Sequence, residues 1–306
     1  MPKIQSSSTS AKSTAKQLRK RTDSFTSPKT SAADPRGPHF LGEWERSIPY
    51  KDEGIAYDQW DEPHLKRKHA ILKKYPEIKK LYGVEPFTKY YCMILLGIQL
   101  AMMSAIKYYD PNYWIVTILA YVVGGTITSI AGLAIHECAH NLAHENAFAN
   151  RLIAFLANSV IVFPIAASFK RYHLMHHTFQ GVTTKDPDLP LAFEYKLVKG
   201  SSILKFIWMS LYSVWYVVRG LALQKTPTNW EIFNWVFCIA NDSVMYYLFG
   251  YKPFVYMCLS LVLGFGCHPG AAHFIQEHFT FDSGQETYSY YGWMNTFWFN
   301  VGYQYL

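Results

Sequence analysis

The stretch "AIHECAHNLAHEN", residues 134–146, follows directly on a long apolar run and carries three histidines. His136, Glu137 and His140 form the pattern H-E-x-x-H, and His144 follows four residues later. Residues three or four apart lie on one face of a helix, so His136 and His140 can share one metal ion. On its own this pattern is typical of a zinc protease, in which Glu137 acts as the general base.

Two further histidine clusters argue against a protease. Their members are His173, His176 and His177 in "HLMHH", and His268, His273 and His278 in "HPGAAHFIQEH". Nine of the 12 histidines therefore fall into three groups, each at the end of an apolar segment. A protease needs only one ligand beyond H-E-x-x-H, so the surplus of imidazoles predicts more than one metal ion. Imidazole suits zinc, iron, copper and nickel, so ligand type alone does not choose the metal.

The composition indicates a membrane protein. Half of the 306 residues are hydrophobic and 17% are aromatic, with 23 Tyr and 9 Trp. Tyr and Trp are enriched where a membrane meets water. The mean hydropathy of −0.03 is low because a polar N-terminus is averaged with an apolar remainder. The first 38 residues have no apolar core, so we expect no cleavable signal peptide.

The net charge of +7 is concentrated in the N-terminal part of the chain. The main basic stretch, "HLKRKHAILKKYPEIKK" (64–80), ends shortly before the first apolar run. A basic segment could bind nucleic acid, but this position is more typical of a cytoplasmic flank that obeys the positive-inside rule. We therefore expect the lipid bilayer as a partner and no nucleic acid.

Six apolar stretches have close to the ~20 residues that a bilayer span requires. They cover roughly 90–108, 113–135, 151–168, 203–222, 232–250 and 252–270. The first two stretches are separated by "YYDPN" (108–112), and the last two by "GYKP" (250–253). Both separators are turn signals, so the sequence predicts two helical hairpins.

The two middle stretches are predicted to lie in the membrane interface. Asn158 and Pro164 interrupt one of them, and Lys205 and Arg219 lie near the ends of the other. Two hairpins also bring all histidine clusters to one side of the membrane, unless the middle stretches add a further pair of crossings. The predicted fold is an all-α integral membrane protein, with about four transmembrane helices in two hairpins, interfacial helices and a cytosolic histidine-rich cap.

The chain divides into three predicted parts. Residues 1–38 form a Ser/Lys-rich tail that cannot bury apolar surface, which predicts disorder. Residues 39–89 form a segment of mixed composition that is expected to lie against the membrane. Residues 90–306 form the membrane domain that contains the histidine clusters.

These motifs and their flanks resemble the membrane fatty acid desaturase superfamily and, within it, the sphingolipid Δ4-desaturases. "HECAHNLAHENAFANR" is similar to the first histidine box of that family, and "FKRYHLMHHTFQG" to the second. "HPGAAHFIQEHFTF" is similar to the C-terminal core. "YDQWDEPHLKRKHAILKKYPEIKKLYG" (57–83) resembles the N-terminal segment of the sphingolipid branch. The resemblance covers roughly residues 40–303.

The resemblance implies helical stems below a cytosolic cap that holds two iron ions. It implies a reaction with O₂ in which dihydroceramide gains a trans double bond between C4 and C5, with electrons from NADH through cytochrome b5. It also implies a multi-pass protein of the endoplasmic reticulum membrane, with the histidine boxes facing the cytosol. The implied iron ligands are His136, His140, His173, His176 and His177, with His144, His268, His273 and His278 as further candidates. Glu137 would orient a neighbouring histidine, and "DPDLP" (186–190) is interpreted as a structural turn.

One departure from the family pattern leaves alternatives open. The last histidine box of the family directly follows "FNVGY", but here the chain reads Tyr303-Gln304-Tyr305-Leu306. Gln304 stands where the first histidine of that box is expected, so we expect a shortened chain with an incomplete site. A catalytically inactive relative is therefore one alternative. A sphingolipid C4-hydroxylase is another, and a zinc protease a third.

Overall fold

The computed structural model describes residues 63–179, 186–223, 225–272 and 274, with the backbone alone for 63–67, 178–179 and 272. Within these ranges the protein is built from helices and contains no strand. The predicted tail 1–38, the candidate ligands His273 and His278, and Gln304 lie outside them. The three-part division of the chain therefore stays a prediction.

Ten α-helices make up the described part of the chain. They are α1 (Pro63–Lys74), α2 (Thr88–Tyr109), α3 (Tyr113–Ala139), α4 (Ala147–Asn158), α5 (Ala166–Phe179), α6 (Ala192–Val198), α7 (Ser202–Ser210), α8 (Tyr212–Ala222), α9 (Asn229–Phe249) and α10 (Tyr251–Gly264). Helix α3 contains one turn of π-helix at Ala120–Gly124. Short 3₁₀ helices occupy Pro76–Leu81 and Pro269–Ala272.

Helices α2 and α3 are long and apolar enough to cross a membrane. They have 22 and 27 residues, and each contains a long apolar stretch with few charged side chains. Met93 and Ile94 on α2 are more than half exposed, as expected for side chains that face lipid. Asp110 adopts a left-handed conformation with φ of 45°, which ends α2 and begins the turn into α3. The first hairpin therefore forms where the turn signal predicts it.

The second hairpin differs from its prediction in length. Gly250, with φ of 90°, separates the 21 residues of α9 from the 14 residues of α10. The predicted stretch 252–270 is therefore wrong as a single helix, because α10 ends at Gly264. At that point α10 crosses α3 so closely that a Cβ atom on Gly264 would lie 2.8 Å from the carbonyl oxygen of Gly125. Among the described helices, α2 and α3 alone meet the length and hydropathy of a membrane span.

A hydrogen bond and an ion pair join the turns of the two hairpins at one end of the described helices. The Lys107 Nζ donates a hydrogen bond to the carbonyl oxygen of Leu248, over 2.6 Å. The Lys252 ammonium forms an ion pair with the Asp110 carboxylate. Both pairs join the end of α2 to the α9–α10 turn. The side chains between the hairpins are fully buried, among them Met103, Tyr256 and Met257.

Neither middle stretch forms one continuous helix. The stretch 151–168 breaks at Asn158, whose Oδ1 accepts hydrogen bonds from the backbone N–H groups of Ile165 and Ala166 at the start of α5. Asn234 on α9 also donates to this oxygen, over 3.2 Å. Asn158 is completely buried. Its hydrogen bonds stabilise the turn between α4 and α5 and thereby fix where α5 begins. The stretch 203–222 divides at Leu211 into α7 and α8.

Candidate metal centre

Four histidines from two helices converge on one point. His136 lies in the last turn of α3 and His140 directly follows that helix, while His173 and His177 lie one turn apart on α5. The His136 ring centroid is 4.7 Å from that of His140 and 4.4 Å from that of His173. The His177 centroid is 4.8 Å from that of His140 and 4.4 Å from that of His173. We call these four residues the histidine cluster.

The donor atoms of the histidine cluster fit a metal ion. One ring nitrogen from each residue lies within 4.8 Å of the others. The Nε2 atoms of His140 and His173 are 2.9 Å apart, as are those of His177 and His173. Metal–imidazole bonds are about 2.0–2.1 Å long, which places neighbouring nitrogens of one coordination shell about 3 Å apart. The spacing therefore matches the predicted metal-binding role of these residues.

Burial favours the neutral, metal-binding form of two members of the histidine cluster, His140 and His173. Burial lowers the pKa of His140 to about 4, with further contributions from the charges of His177 and Lys170. Burial also lowers the pKa of His173 far below its ordinary value, and the surrounding histidines add to that shift. Neutral imidazole has a free lone pair for a metal ion, whereas imidazolium has none.

A second group of possible ligands lies beside the histidine cluster. His176 Nδ1 lies 2.8 Å from Asp186 Oδ1 and 3.5 Å from Asp188 Oδ2, and all three side chains are buried. The ring centroids of His176 and His173 are 6.1 Å apart. The three residues can hold a cation, or the carboxylates can orient His176 through its Nδ1–H. "DPDLP" is therefore more than a turn, since its two aspartates reach a candidate ligand.

A largely apolar cavity of about 360 Å³ opens beside the histidine cluster. His136 and His173 form part of its wall. Its apolar lining includes Leu133, Phe163, Phe169, Val217, Leu261 and Phe265. Its remaining polar lining residues are Asp188, Tyr212, Ser213 and Tyr216. Such a cavity can hold an aliphatic chain with one segment against the histidines.

Two family models match this chain. The model for fatty acid desaturases matches residues 112–306, and the model for sphingolipid Δ4-desaturases matches residues 56–87. The chain belongs to the fatty acid desaturase family. The second match identifies its sphingolipid branch and confirms the resemblance found in the sequence. The match begins just before α3 and includes both helices that carry the histidine cluster, so the site lies within the family domain.

Relatives from distant organisms carry the same family name. The chain is 40% identical over 246 residues to the sphingolipid delta(4)-desaturase DES1 of Drosophila melanogaster, which covers 79% of this chain and 76% of the relative. It is 40% identical over 254 residues to DES1 of Homo sapiens, covering 82% and 78%. A Caenorhabditis elegans relative, 40% identical with 79% and 67% covered, has a name that couples delta(4)-desaturase with C4-monooxygenase. No solved structure matches the chain.

Two other candidate site residues of this desaturase, His144 and His268, lie apart from the histidine cluster. His144 is exposed, and its Nδ1 accepts a hydrogen bond from the backbone N–H of Asn146. His268 is buried beside Tyr121 and accepts from the backbone N–H of Gly270. Within the described ranges neither belongs to the two ligand groups. Glu137 is buried, with Oε1 3.4 Å from His136 Nδ1, as expected for a residue that orients this ring.

A buried ion pair that the sequence did not predict contacts the loop that carries Asp186 and Asp188. Arg219 donates to both carboxylate oxygens of Glu194, over 2.9 and 2.6 Å, and to the carbonyl oxygen of Asp188 over 3.0 Å. Trp208 Nε1 also donates to Glu194. Arg219 was interpreted as marking the end of an interfacial segment, but it is only 2% exposed. A lone arginine within an apolar stretch is itself a signal of a buried partner, since burying an unpaired charge is costly.

Proposed function

We propose that this protein is a sphingolipid Δ4-desaturase, which converts dihydroceramide to ceramide by forming a trans double bond between C4 and C5 with O₂. The observation that carries this proposal is the convergence of four histidine side chains, from the end of α3 and from α5, beside an apolar cavity whose wall includes His136 and His173. A protease that cleaves peptides in a water-filled cleft does not require a largely apolar cavity beside its metal. The relatives named above support the choice of substrate.

Two iron ions are the proposed metals. His136, His140, His173 and His177 would hold one ion, and His176, whose Nδ1 faces the carboxylates of Asp186 and Asp188, would contribute its Nε2 to a second site. His268, His273 and His278 remain further candidate ligands, whereas the exposed His144 lies apart from both groups. Iron supplies the O₂ activation needed to break an unactivated C–H bond, which no side chain provides. The electrons are proposed to come from NADH through cytochrome b5.

The residues around the metals have three proposed tasks. The His173 and His140 rings stay neutral because burial lowers the pKa of both, so they keep a lone pair for the metal. Asp186 holds a proton on Nδ1 of His176 and thereby leaves Nε2 as the ligand atom. The apolar cavity wall, including Phe169 and Phe265, binds the saturated chain and excludes water from the reacting carbons.

The proposed setting is the endoplasmic reticulum membrane. Helices α2 and α3 would cross it, and α9 with α10 would form the second hairpin. The two hairpin turns contact each other at one end of the helices. The histidine cluster lies toward the opposite end, because His136 is in the last turn of α3. The basic segment before α2 would place that opposite end in the cytosol by the positive-inside rule.

Expression in a host that lacks a Δ4-desaturase tests the proposal. Mass spectrometry of extracted lipids should detect Δ4-unsaturated ceramide with the wild-type chain and none with His173→Ala. A folded wild-type protein that produces no unsaturated ceramide would refute the proposal.

C4-hydroxylation is a second candidate, favoured by the name of the Caenorhabditis elegans relative. Desaturation and hydroxylation begin with the same hydrogen abstraction and then diverge. The same lipid extract distinguishes them, because hydroxylation adds one oxygen atom to dihydroceramide whereas desaturation removes two hydrogen atoms.

A further inference from the structure

One part of the cavity wall is polar, and it adjoins the histidine cluster. Phe169 connects the two, since its ring stacks on His173 at 4.8 Å and lies 6.4 Å from the ring of Tyr216. Asp188 lines the same cavity and lies 3.5 Å from His176 Nδ1. A ligand group that reaches Tyr216 is therefore close to the proposed metals.

The hydroxyl group of Tyr216 is the unusual feature of this wall. Its oxygen is buried and forms no hydrogen bond of ordinary geometry with a partner among the residues that the structure describes, and the Asp188 carboxylate lies near enough to interact with it. Buried polar atoms in proteins nearly always have such a partner, and leaving one unpaired is costly. A phenylalanine would fill the same space without that cost. The hydroxyl group therefore indicates a partner that enters the cavity.

The electrostatics of the wall restrict the partner. The hydroxyl group of a tyrosine is uncharged at neutral pH and can donate a hydrogen bond to an oxygen in the cavity. The buried Asp188 carboxylate disfavours an anionic head group at this position, whereas a neutral hydroxyl group is accommodated.

We propose that Tyr216 donates a hydrogen bond to the C3 hydroxyl oxygen of the sphingoid base and thereby selects C4 and C5 for reaction. This inference rests on the proposed function and names a positioning residue for it. The C3 oxygen is the polar atom closest to C4 along the substrate chain, so fixing it limits which C–H bonds face the histidine cluster. The saturated chain beyond C5 then lies along the apolar lining of the cavity.

The enzyme should recognise one substrate oxygen, on C3, through one protein oxygen, that of Tyr216. A site built to bind a hydroxyl group discriminates strongly against an analogue that lacks it. Removing the phenol oxygen should abolish this discrimination. A purely structural role of Tyr216 would instead weaken the binding of both lipids equally.

The experiment compares dihydroceramide with its 3-deoxy analogue on the full-length protein in lipid nanodiscs. Affinities are measured by competition with radiolabelled dihydroceramide, for the wild type, Tyr216→Phe and the control Tyr195→Phe. Tyr195 is an exposed residue of α6 and lies outside the cavity lining. We expect the wild type and the control to prefer dihydroceramide by roughly tenfold. Tyr216→Phe should bind the two lipids equally.

Two results would overturn the inference. One is a Tyr216→Phe variant that keeps the full preference for dihydroceramide. The other is a wild type that shows no preference. If the wild type forms Δ4-unsaturated product and either result is found, this inference alone fails. If the wild type binds neither lipid and forms no product, the proposed function fails and the inference falls with it.

A measurement on the wild type alone covers the case in which Tyr216→Phe does not fold. The double-bond position in products of the 3-deoxy analogue is determined by mass spectrometry. Without the C3 oxygen, the analogue should slide in the cavity and give a mixture of positions. A single Δ4 product from the analogue would contradict the role of the C3 hydroxyl group.

Discussion

His176 Nδ1 lies 2.8 Å from Asp186 Oδ1, and both side chains are buried. The contact joins the second histidine motif to the loop that follows it in the chain. Arg219, which is paired with Glu194, contacts the same loop, because its guanidinium donates a hydrogen bond to the carbonyl oxygen of Asp188. The candidate metal centre therefore has a buried support that fixes one of its ligands.

Asp186→Asn tests this support. Asparagine keeps an oxygen that can accept a hydrogen bond, but it removes the negative charge that favours a proton on His176 Nδ1. Loss of such a partner typically weakens metal binding by about 10–100-fold, which an iron titration of the purified protein would measure. Glu145→Gln is the control, since Glu145 is an exposed acid near the first histidine motif. Equal iron affinities in the two variants would show that the contact has no role in metal binding.

The histidine cluster is tested by comparing His140→Ala with His144→Ala. The two residues lie four apart in the same motif, but His140 reaches His173 over 2.9 Å whereas His144 is exposed. We expect His140→Ala to lose at least one bound iron per chain and His144→Ala to keep the wild-type iron content. Elemental analysis of purified protein measures both. Loss of iron from His144→Ala alone would contradict the geometry of the cluster.

Arg219→Met should destabilise the protein strongly. The change leaves the carboxylate of Glu194, only 1% exposed, without its cationic partner. Breaking a buried ion pair on one side costs about 3–5 kcal/mol of unfolding free energy. Thermal unfolding in detergent should show a smaller loss for Arg171→Met, because its partner Glu231 keeps the hydrogen bonds from the backbone N–H and hydroxyl group of Thr228. Similar losses in both variants would contradict the account of the buried pair.

Asn158→Leu tests the turn that positions α5. The change leaves the N–H groups of Ile165 and Ala166 without an acceptor in a buried position. Each unpaired buried donor costs about 1–3 kcal/mol, so we expect a clear fall in unfolding temperature together with a loss of bound iron. Asn112→Ala is the control, since it removes an exposed N-cap of α3 and should cost about 1 kcal/mol without loss of iron. An Asn158→Leu variant with wild-type iron content would show that the turn does not position the ligands.

The sequence allowed prediction of those features that depend on local pattern. Helices α2 and α3 form around the turn signal at Asp110, and His136 meets His140 because helical spacing requires it. The pairing of the two motifs, seen in the contact of His140 with His173, agrees with the expectation of one shared site. The resemblance to the sphingolipid desaturases was also correct, since it rests on motifs with their flanks.

The features that the sequence did not reveal depend on contacts between distant segments. The partnership of Glu194 with Arg219 joins residues on α6 and α8 that no spacing rule relates. The sequence predicts one helix over 252–270, but α10 ends at Gly264, where the chain lies so close to Gly125 of α3 that a Cβ atom would not fit. The role of "DPDLP" was missed for a similar reason, since a turn signal does not show which side chain its aspartates reach.

The most direct test of the central claim follows the hydrogen atoms of the substrate. The purified, iron-loaded protein is supplied with electrons, O₂ and dihydroceramide that carries two deuterium atoms on each of C4 and C5. The account predicts a ceramide that has lost one deuterium from each of these carbons, and no such product from His173→Ala. A product that keeps all deuterium at C5 and gains oxygen at C4 would identify a hydroxylase. Unchanged substrate, with folded and iron-loaded protein present, would contradict the account as a whole.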